Sequence, residues 1–109
     1  MLKFQNDYNR IAGIISYIDR HFHDDLTLEQ LADMAHMNPN YFSSYFKRVI
    51  TLPLFAYIRK KRLDNACLLL RTTRMSITDI ATAAGFSNIS YFNKAFKEAF
   101  KLSPSQYRE

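Results

Sequence analysis

Apolar residues recur along this chain at the spacing of α-helices. Over residues 7–22, one helical face carries Ile11, Ile14, Ile15, Ile18 and Phe22. Long runs that alternate apolar and polar residues are absent, and two glycines and three prolines leave little turn chemistry for a β-sandwich or barrel. The pattern predicts an all-α fold with about seven helices, at 7–22, 28–35, 39–50, 54–71, 77–84, 88–100 and 104–108.

The chain also contains an internal repeat. Six residues recur unchanged 50 positions later: Tyr41, Phe42, Phe46, Lys47, Leu52 and Tyr57 return as Tyr91, Phe92, Phe96, Lys97, Leu102 and Tyr107. Small and aliphatic residues of the preceding segment correspond at an offset of 49: Leu28, Leu31, Ala32 and Ala35 match Ile77, Ile80, Ala81 and Ala84. The repeat indicates that one structural unit occurs twice.

Capping residues define this unit as helix, turn, helix. Thr27 and Ser76 are predicted N-caps of the first helix in each copy. Asn38, followed by Pro39, caps the second helix of the first copy, and Ser87 is the predicted N-cap in the second copy. Each copy therefore has the order of a helix-turn-helix motif.

The segment between the two copies has helical spacing and begins near Pro53. We therefore expect an N-terminal helix-turn-helix subdomain at 7–52, a linker helix at 53–72 and a C-terminal helix-turn-helix subdomain at 73–109.

The second helix of each copy has one apolar and one polar face. In helix 39–50 the inward set is Phe42, Tyr45, Phe46 and Val49, and the outward set is Asn40, Ser43, Ser44 and Lys47. In helix 88–100 the inward set is Phe92, Ala95, Phe96 and Ala99, and the outward set is Ser90, Asn93, Lys94 and Lys97. The major groove of B-DNA is about 12 Å wide and admits one α-helix with such side chains. The outward faces therefore indicate two DNA-reading helices.

The distribution of charge favours a polyanionic partner. The net charge is +5, and residues 34–109 hold twelve basic and four acidic side chains, whereas residues 1–33 hold three basic and six acidic ones. Such an excess suits phosphate. The basic run at residues 59–62 cannot face the core of one helix as a whole, so Arg59 and Lys60 are candidate phosphate contacts.

Other chemistry has little support. No Ser/His/Asp order, glycine-rich phosphate loop or cysteine cluster indicates catalysis, so we expect neither enzymatic activity nor a cofactor. Four potential metal ligands lie at one helix end without a second cluster, and we expect no metal site there: His21, His23, Asp24 and Asp25. The lone Cys67 has the spacing of a core residue. With no signal-peptide pattern in the first twenty residues and no membrane-spanning run, we expect a cytoplasmic protein.

Three motifs occur together in this repeat. They are Ala-Gly-Phe-x-x-x-x-Tyr-Phe-x-x-x-Phe-Lys at 84–97, Ser-Pro-x-x-Tyr-Arg at 103–108 and Arg-Leu-x-x-Ala-x-x-Leu-Leu at 62–70. With the doubled helix-turn-helix, they resemble the DNA-binding domain of the AraC/XylS transcriptional regulators, from about Ile11 to Arg108. The resemblance implies a bipartite domain whose third and sixth helices enter adjacent major grooves. It also implies a bacterial regulator that usually activates transcription, which makes RNA polymerase a further expected partner.

The resemblance also assigns site residues, position by position. The family's base-reading positions fall on Asn40, Ser43 and Ser44 in the first reading helix and on Ile89, Ser90, Asn93 and Lys94 in the second. Lys47 and Lys97 fall beside phosphate. The sequence departs from the family at three turn positions where glycine is common, occupied here by His36, Thr51 and Lys101.

Both reading helices lie in one chain, and no heptad pattern or exposed apolar stripe indicates a dimer interface, so we expect a monomer on DNA. Two other classes of protein are alternatives. A helical scaffold for protein binding should expose apolar or aromatic residues on these helices, and a sequence-blind nucleic-acid-binding module should carry more Lys and Arg there.

Overall fold

The computed structural model describes the backbone of residues 2–109 and the side chains from residue 6 onward. Seven helices and no strand occur in that part of the chain: α1 (Leu2–His21), α2 (Leu28–Met34), α3 (Pro39–Ile50), α4 (Leu54–Thr72), α5 (Ile77–Ala83), α6 (Ile89–Phe100) and α7 (Pro104–Arg108). The all-α prediction is confirmed. None of these helices is both long and apolar enough to span a bilayer.

The chain forms two compact units, the first ending at Ile58 and the second running from Arg59 to Glu109. The boundary falls inside α4. The division into subdomains at 7–52 and 73–109 with a separate linker helix at 53–72 stays a prediction.

Each unit has its own apolar core around a pair of phenylalanines one helical turn apart. Phe42 and Phe46 of α3 are fully buried in the first core, and Phe92 and Phe96 of α6 are fully buried in the second. Burial of such a side chain contributes about 1.5–3 kcal/mol, so these pairs fix how each helix is rotated about its axis.

Helix α4 has in the second unit the role that α1 has in the first. Three positions correspond at an offset of 52 and line the two cores, with Ile11, Ile14 and Ile18 in α1 and Leu63, Ala66 and Leu70 in α4. The first turns of α4 instead contribute Leu54 and Ile58 to the first core. The structural repeat therefore contains three helices, one more than the helix-turn-helix seen in the sequence.

In each unit, a tyrosine near the C-terminal end packs against the second phenylalanine of the buried pair. The Tyr57 ring packs edge-on to Phe46 with centroids 5.7 Å apart, and Tyr107 packs on Phe96 in the same way at 5.5 Å. The Tyr57 hydroxyl donates a hydrogen bond to Asp19, whereas the Tyr107 hydroxyl accepts one from Arg71.

The turns between the helices have the same hydrogen bonds in both units. The N–H groups of His36 and Met37 donate to the carbonyls of Asp33 and Ala32, as those of Gly85 and Phe86 donate to Thr82 and Ala81. This is the Schellman pattern of helix ends. It needs a left-handed residue, which is Gly85 with φ 105° in the second unit and His36 with φ 57° in the first. The departure from glycine at His36 therefore leaves the turn geometry unchanged.

The predicted caps are confirmed with one correction. The side-chain oxygens of Thr27 and Ser76 accept from the backbone N–H groups of Gln30 and Asp79, both at 3.0 Å. In the second copy the N-cap is Asn88, whose Oδ1 accepts from Tyr91 N at 2.9 Å. The expectation of Ser87 was therefore wrong by one residue.

Residues of the Ser-Pro-x-x-Tyr-Arg motif at 103–108 make hydrogen bonds that stabilise the second unit. Ser103 and Gln106 form a reciprocal capping box that starts α7. The Arg108 guanidinium donates to the carbonyl oxygens of Leu70, Thr73 and Met75. These oxygens lie at the end of α4 and in the turn to α5, so Arg108 satisfies carbonyls that the helix end leaves free.

His36→Gly should stabilise the chain. A side chain in the left-handed region costs about 1–2 kcal/mol, of which the greater freedom of glycine in the unfolded chain returns part, so we expect a gain of roughly 0.5–1 kcal/mol. His36 is exposed, and within the described part of the chain its side chain makes no hydrogen bond, so little else is lost. The measurement is the urea midpoint at unchanged slope, with Gly85→Ala as the control that should lose stability. A lower midpoint for His36→Gly would contradict the strain at this turn.

Candidate nucleic-acid interface

Helix α3, the first of the two helices predicted to read DNA, turns its polar residues away from its core. Asn40, Ser44 and Lys47 are exposed, and Ser43 is half-buried. Asn38 caps the helix by accepting from Asn40 N at 2.8 Å, which holds the backbone of Asn40 in the first turn while its side chain faces solvent. Ser43 has less access to a ligand than its neighbours.

The second reading helix, α6, presents a larger and more basic face. All five of its candidate contact residues are exposed: Ile89, Ser90, Asn93, Lys94 and Lys97. Within the described part of the chain, the side chains of Asn93 and Lys94 have no hydrogen-bond or ion-pair partner. Their donors and acceptors are therefore available to base edges.

Both helices end in the same way. Thr51 with φ 69° and Lys101 with φ 65° are left-handed C-caps, and each N–H donates to the carbonyl four residues earlier. These are two of the positions where family members often have glycine. Each helix has 12 residues, so α3 and α6 are equal in length.

Not every aromatic residue on these two helices belongs to a core. Tyr91 is 48% exposed and Tyr41 is 37% exposed, whereas Tyr45 is buried. Ala99, expected to face the core, is exposed. Phe100 packs against the second core in its place, 4.7 Å from the Phe96 ring, on the side that Tyr107 approaches.

Arg59 lies beside the second reading helix. It lines an open pocket of about 220 Å³ together with four residues of α6, namely Tyr91, Lys94, Ala95 and Glu98. Lys60, the other phosphate candidate of α4, is exposed and forms an ion pair with Asp64 at 3.0 Å. Such an exposed pair contributes little, so Lys60 can exchange Asp64 for another anion.

Tyr41 is tied to the first helix of its unit. Its hydroxyl donates to Asp7, which is almost fully buried and lies 3.6 Å from the Arg10 guanidinium. The hydrogen bond to Asp7 raises the pKa of Tyr41. No local sequence pattern predicts this contact, because 34 residues separate the two side chains.

The histidines considered for a metal have local roles in the structure. His21 stacks on Tyr17 with ring centroids 4.3 Å apart, and its Nδ1 lies 3.1 Å from Asp24 at the end of α1. Cys67 is buried, as its spacing predicted, and burial raises the pKa of its thiol.

Comparison with known proteins assigns the family. The family described as "Helix-turn-helix domain" matches residues 31–109. The regulatory protein PocR of Salmonella typhimurium is 38% identical over 101 residues, which are 93% of this chain and 33% of PocR. The transposon Tn10 TetD protein of Escherichia coli is 35% identical over 98 residues, which are 90% of this chain and 71% of TetD. The chain thus spans about a third of PocR.

Solved structures agree with these relatives. The C-terminal domain of the two-component response regulator yesN from Fusobacterium nucleatum superposes with a TM-score of 0.87 at 33% identity, covering 93% of this chain and 99% of that one. The DNA-binding domain of AdpA in complex with a target DNA superposes with a TM-score of 0.86 at 24% identity, covering 90% and 88%, and shows the shared fold. The resemblance first seen in three motifs therefore extends through both units, and the chain belongs to the AraC/XylS family of helix-turn-helix DNA-binding transcriptional regulators.

Proposed function

We propose that this regulator binds duplex DNA sequence-specifically by placing α3 and α6 in adjacent major grooves, roughly 34 Å apart along the helix axis, and that it activates transcription through RNA polymerase. One observation carries most of the proposal. The face of α6 opposite the buried Phe92 and Phe96 offers Asn93 and Lys94, which are exposed and make no hydrogen bond or ion pair with the described side chains, those from residue 6 onward.

The two reading faces suit different tasks. An Asn side chain pairs with adenine, a Lys with guanine, and an apolar residue such as Ile89 with the methyl group of thymine. Ser43 and Ser44 are short hydroxyls that discriminate weakly between bases, and Ser43 is half-buried. The second unit should therefore contribute more of the sequence specificity. Lys47, Lys97, Arg59 and Lys60 supply phosphate contacts in this proposal.

Selection of bound sites from a random duplex pool tests the function directly. A regulator that reads bases enriches one bipartite sequence with two half-sites about one helical turn apart. A protein-interaction scaffold, which the exposed Ile89 and Tyr91 would suit, binds no duplex. A sequence-blind module binds the pool without enrichment.

Lys94→Ala should weaken binding to the selected site by on the order of 1–3 kcal/mol and relax selectivity in one half-site, because a base contact carries sequence information. The Ser43→Ala/Ser44→Ala double variant should lose less and blur the other half-site mildly. Binding isotherms on selected and random duplex measure both effects. If Lys94→Ala weakens both duplexes equally, the reading face is misplaced; if the serine pair costs more selectivity, the ranking of the two helices is wrong.

Lys97→Ala should weaken binding to every duplex about equally, because a phosphate contact is independent of sequence. For the unmodified chain, log K against log[salt] should have a slope of roughly −4 to −7, which corresponds to about five to eight neutralised phosphates, and the variant should lower its magnitude by about 1. Isotherms at several salt concentrations give the slope. A slope near zero would show that the basic residues do not face nucleic acid.

One chain should occupy one bipartite site, since each chain contains both reading helices. Analytical ultracentrifugation of the complex measures this stoichiometry across a range of protein concentrations. Two chains on the shortest duplex that retains full affinity would contradict the monomer.

A further inference from the structure

The pocket beside α6 has a charged and open lining. Arg59 comes from α4, and the α6 residues around it are Tyr91, Lys94, Ala95 and Glu98. Two cations and one anion give the lining a net positive charge. The Tyr91 hydroxyl adds a donor, since about half of this side chain is exposed.

The internal repeat supplies a control for this pocket within the same molecule. The equivalent residues of the first unit lie 52 positions earlier for α4 and 50 earlier for α6. The pairs are Arg59 and Asp7, Tyr91 and Tyr41, Lys94 and Ser44, Ala95 and Tyr45, and Glu98 and Arg48. Only the tyrosine is the same in both units.

In the first unit, larger side chains occupy the position that corresponds to this pocket. Tyr45, where the second unit has Ala95, is buried, and the Arg48 guanidinium lies 5.4 Å from the centre of its ring. Asp7, where the second unit has Arg59, accepts the hydrogen bond of the Tyr41 hydroxyl. An anion arriving there would meet a carboxylate and a tyrosine whose donor is already used.

In the second unit the equivalent position is an open pocket, and a cation, Arg59, stands where the first unit has the anion Asp7. Ala95, the smaller residue, is one of the residues that line the pocket of about 220 Å³. A guanidinium with five N–H donors replaces the carboxylate, and no hydrogen bond among the residues that the structure describes engages the Tyr91 hydroxyl. These donors and this charge match one phosphate group with its several acceptor oxygens.

We propose that this pocket receives one backbone phosphate of the DNA duplex, bound by the Arg59 guanidinium and the Tyr91 hydroxyl, and that the first unit has no equivalent subsite. The inference rests on the proposed DNA-binding function. The phosphate fixes the position of α6 along the groove, while Lys94, one turn after Tyr91 on the exposed face, extends to the bases. The regulator is thus anchored to the backbone more firmly through its second unit.

Arg59→Gln and Tyr91→Phe test the subsite on the full chain. Arg59→Gln should weaken binding to selected and random duplex alike, by roughly 5- to 20-fold, and lower the magnitude of the salt slope by about 1, because one charge-assisted phosphate contact is lost. Tyr91→Phe should weaken both duplexes by a smaller factor with the slope unchanged, because it removes a neutral donor. Arg74→Gln, which removes a cation from an exposed position outside the pocket in the same unit, is the matched control.

A further variant, Ala95→Tyr, places in the pocket the residue type that the first unit has at the equivalent position, Tyr45. Ala95→Tyr should fill the volume and reproduce the loss of Arg59→Gln on both duplexes, and circular dichroism with thermal unfolding checks that the variant is folded. Ala99→Tyr, at an exposed position one turn later, is its control. Asp7→Asn, compared with Asp25→Asn, should not create a phosphate contact, because Tyr45 still occupies the first unit's place.

A duplex with a single uncharged methylphosphonate, moved along the backbone, locates the contact. At one backbone position, the methylphosphonate should weaken duplex binding by the unmodified chain but cause no further loss of binding by the Arg59→Gln variant. The subsite is overturned if Arg59→Gln and Arg74→Gln have equal slopes while the unmodified chain binds its selected duplex. Absence of salt-dependent binding by the unmodified chain would instead contradict the proposed function itself.

Discussion

The burial of two phenylalanines one turn apart, on α3 and again on α6, determines the rest of this structure. Phe42 and Phe46, like Phe92 and Phe96, are completely shielded from solvent. Removing such a ring typically costs about 3–5 kcal/mol, a large part of the 5–15 kcal/mol that stabilises a small domain. Because 3.6 residues make a turn, fixing positions i and i+4 also fixes which residues point outward. The polar faces of α3 and α6 therefore follow from the packing of their aromatic faces.

The same scaffold carries opposite charges in its two copies. Asp19 and Arg71 correspond at an offset of 52, and each hydrogen-bonds the tyrosine that closes its unit. A phenol can make both contacts because its oxygen donates to a carboxylate and accepts from a guanidinium. Asp7 and Arg59 show the same reversal beside the exposed tyrosines of the reading helices. The acidic first part and the basic second part of the sequence thus share the same pair of buried phenylalanines and the same closing tyrosine.

Residues in the left-handed conformation end several helices, and Arg108 binds the carbonyl oxygens at the end of α4. His36, Thr51 and Lys101 have positive φ without being glycine, so the surrounding hydrogen bonds and packing hold a conformation that these residues do not prefer. Arg108 reaches back by 33 to 38 residues to the carbonyls at the end of α4. The closing motif that identifies the family in the sequence is therefore part of the fold of the second unit.

The sequence by itself determined the helices, most of their caps and the outward faces of α3 and α6, because these depend on periodicity and on contacts between residues three or four positions apart. The roles of the outward residues in reading DNA stay a prediction. Only the tertiary structure showed that α4 matches α1, that Tyr41 and Tyr91 are exposed, and that Arg59 lies beside α6. Whether one aromatic ring is buried and its neighbour exposed depends on which distant helix covers it. Asp7 and Tyr41 are 34 residues apart, and no local pattern records such a contact.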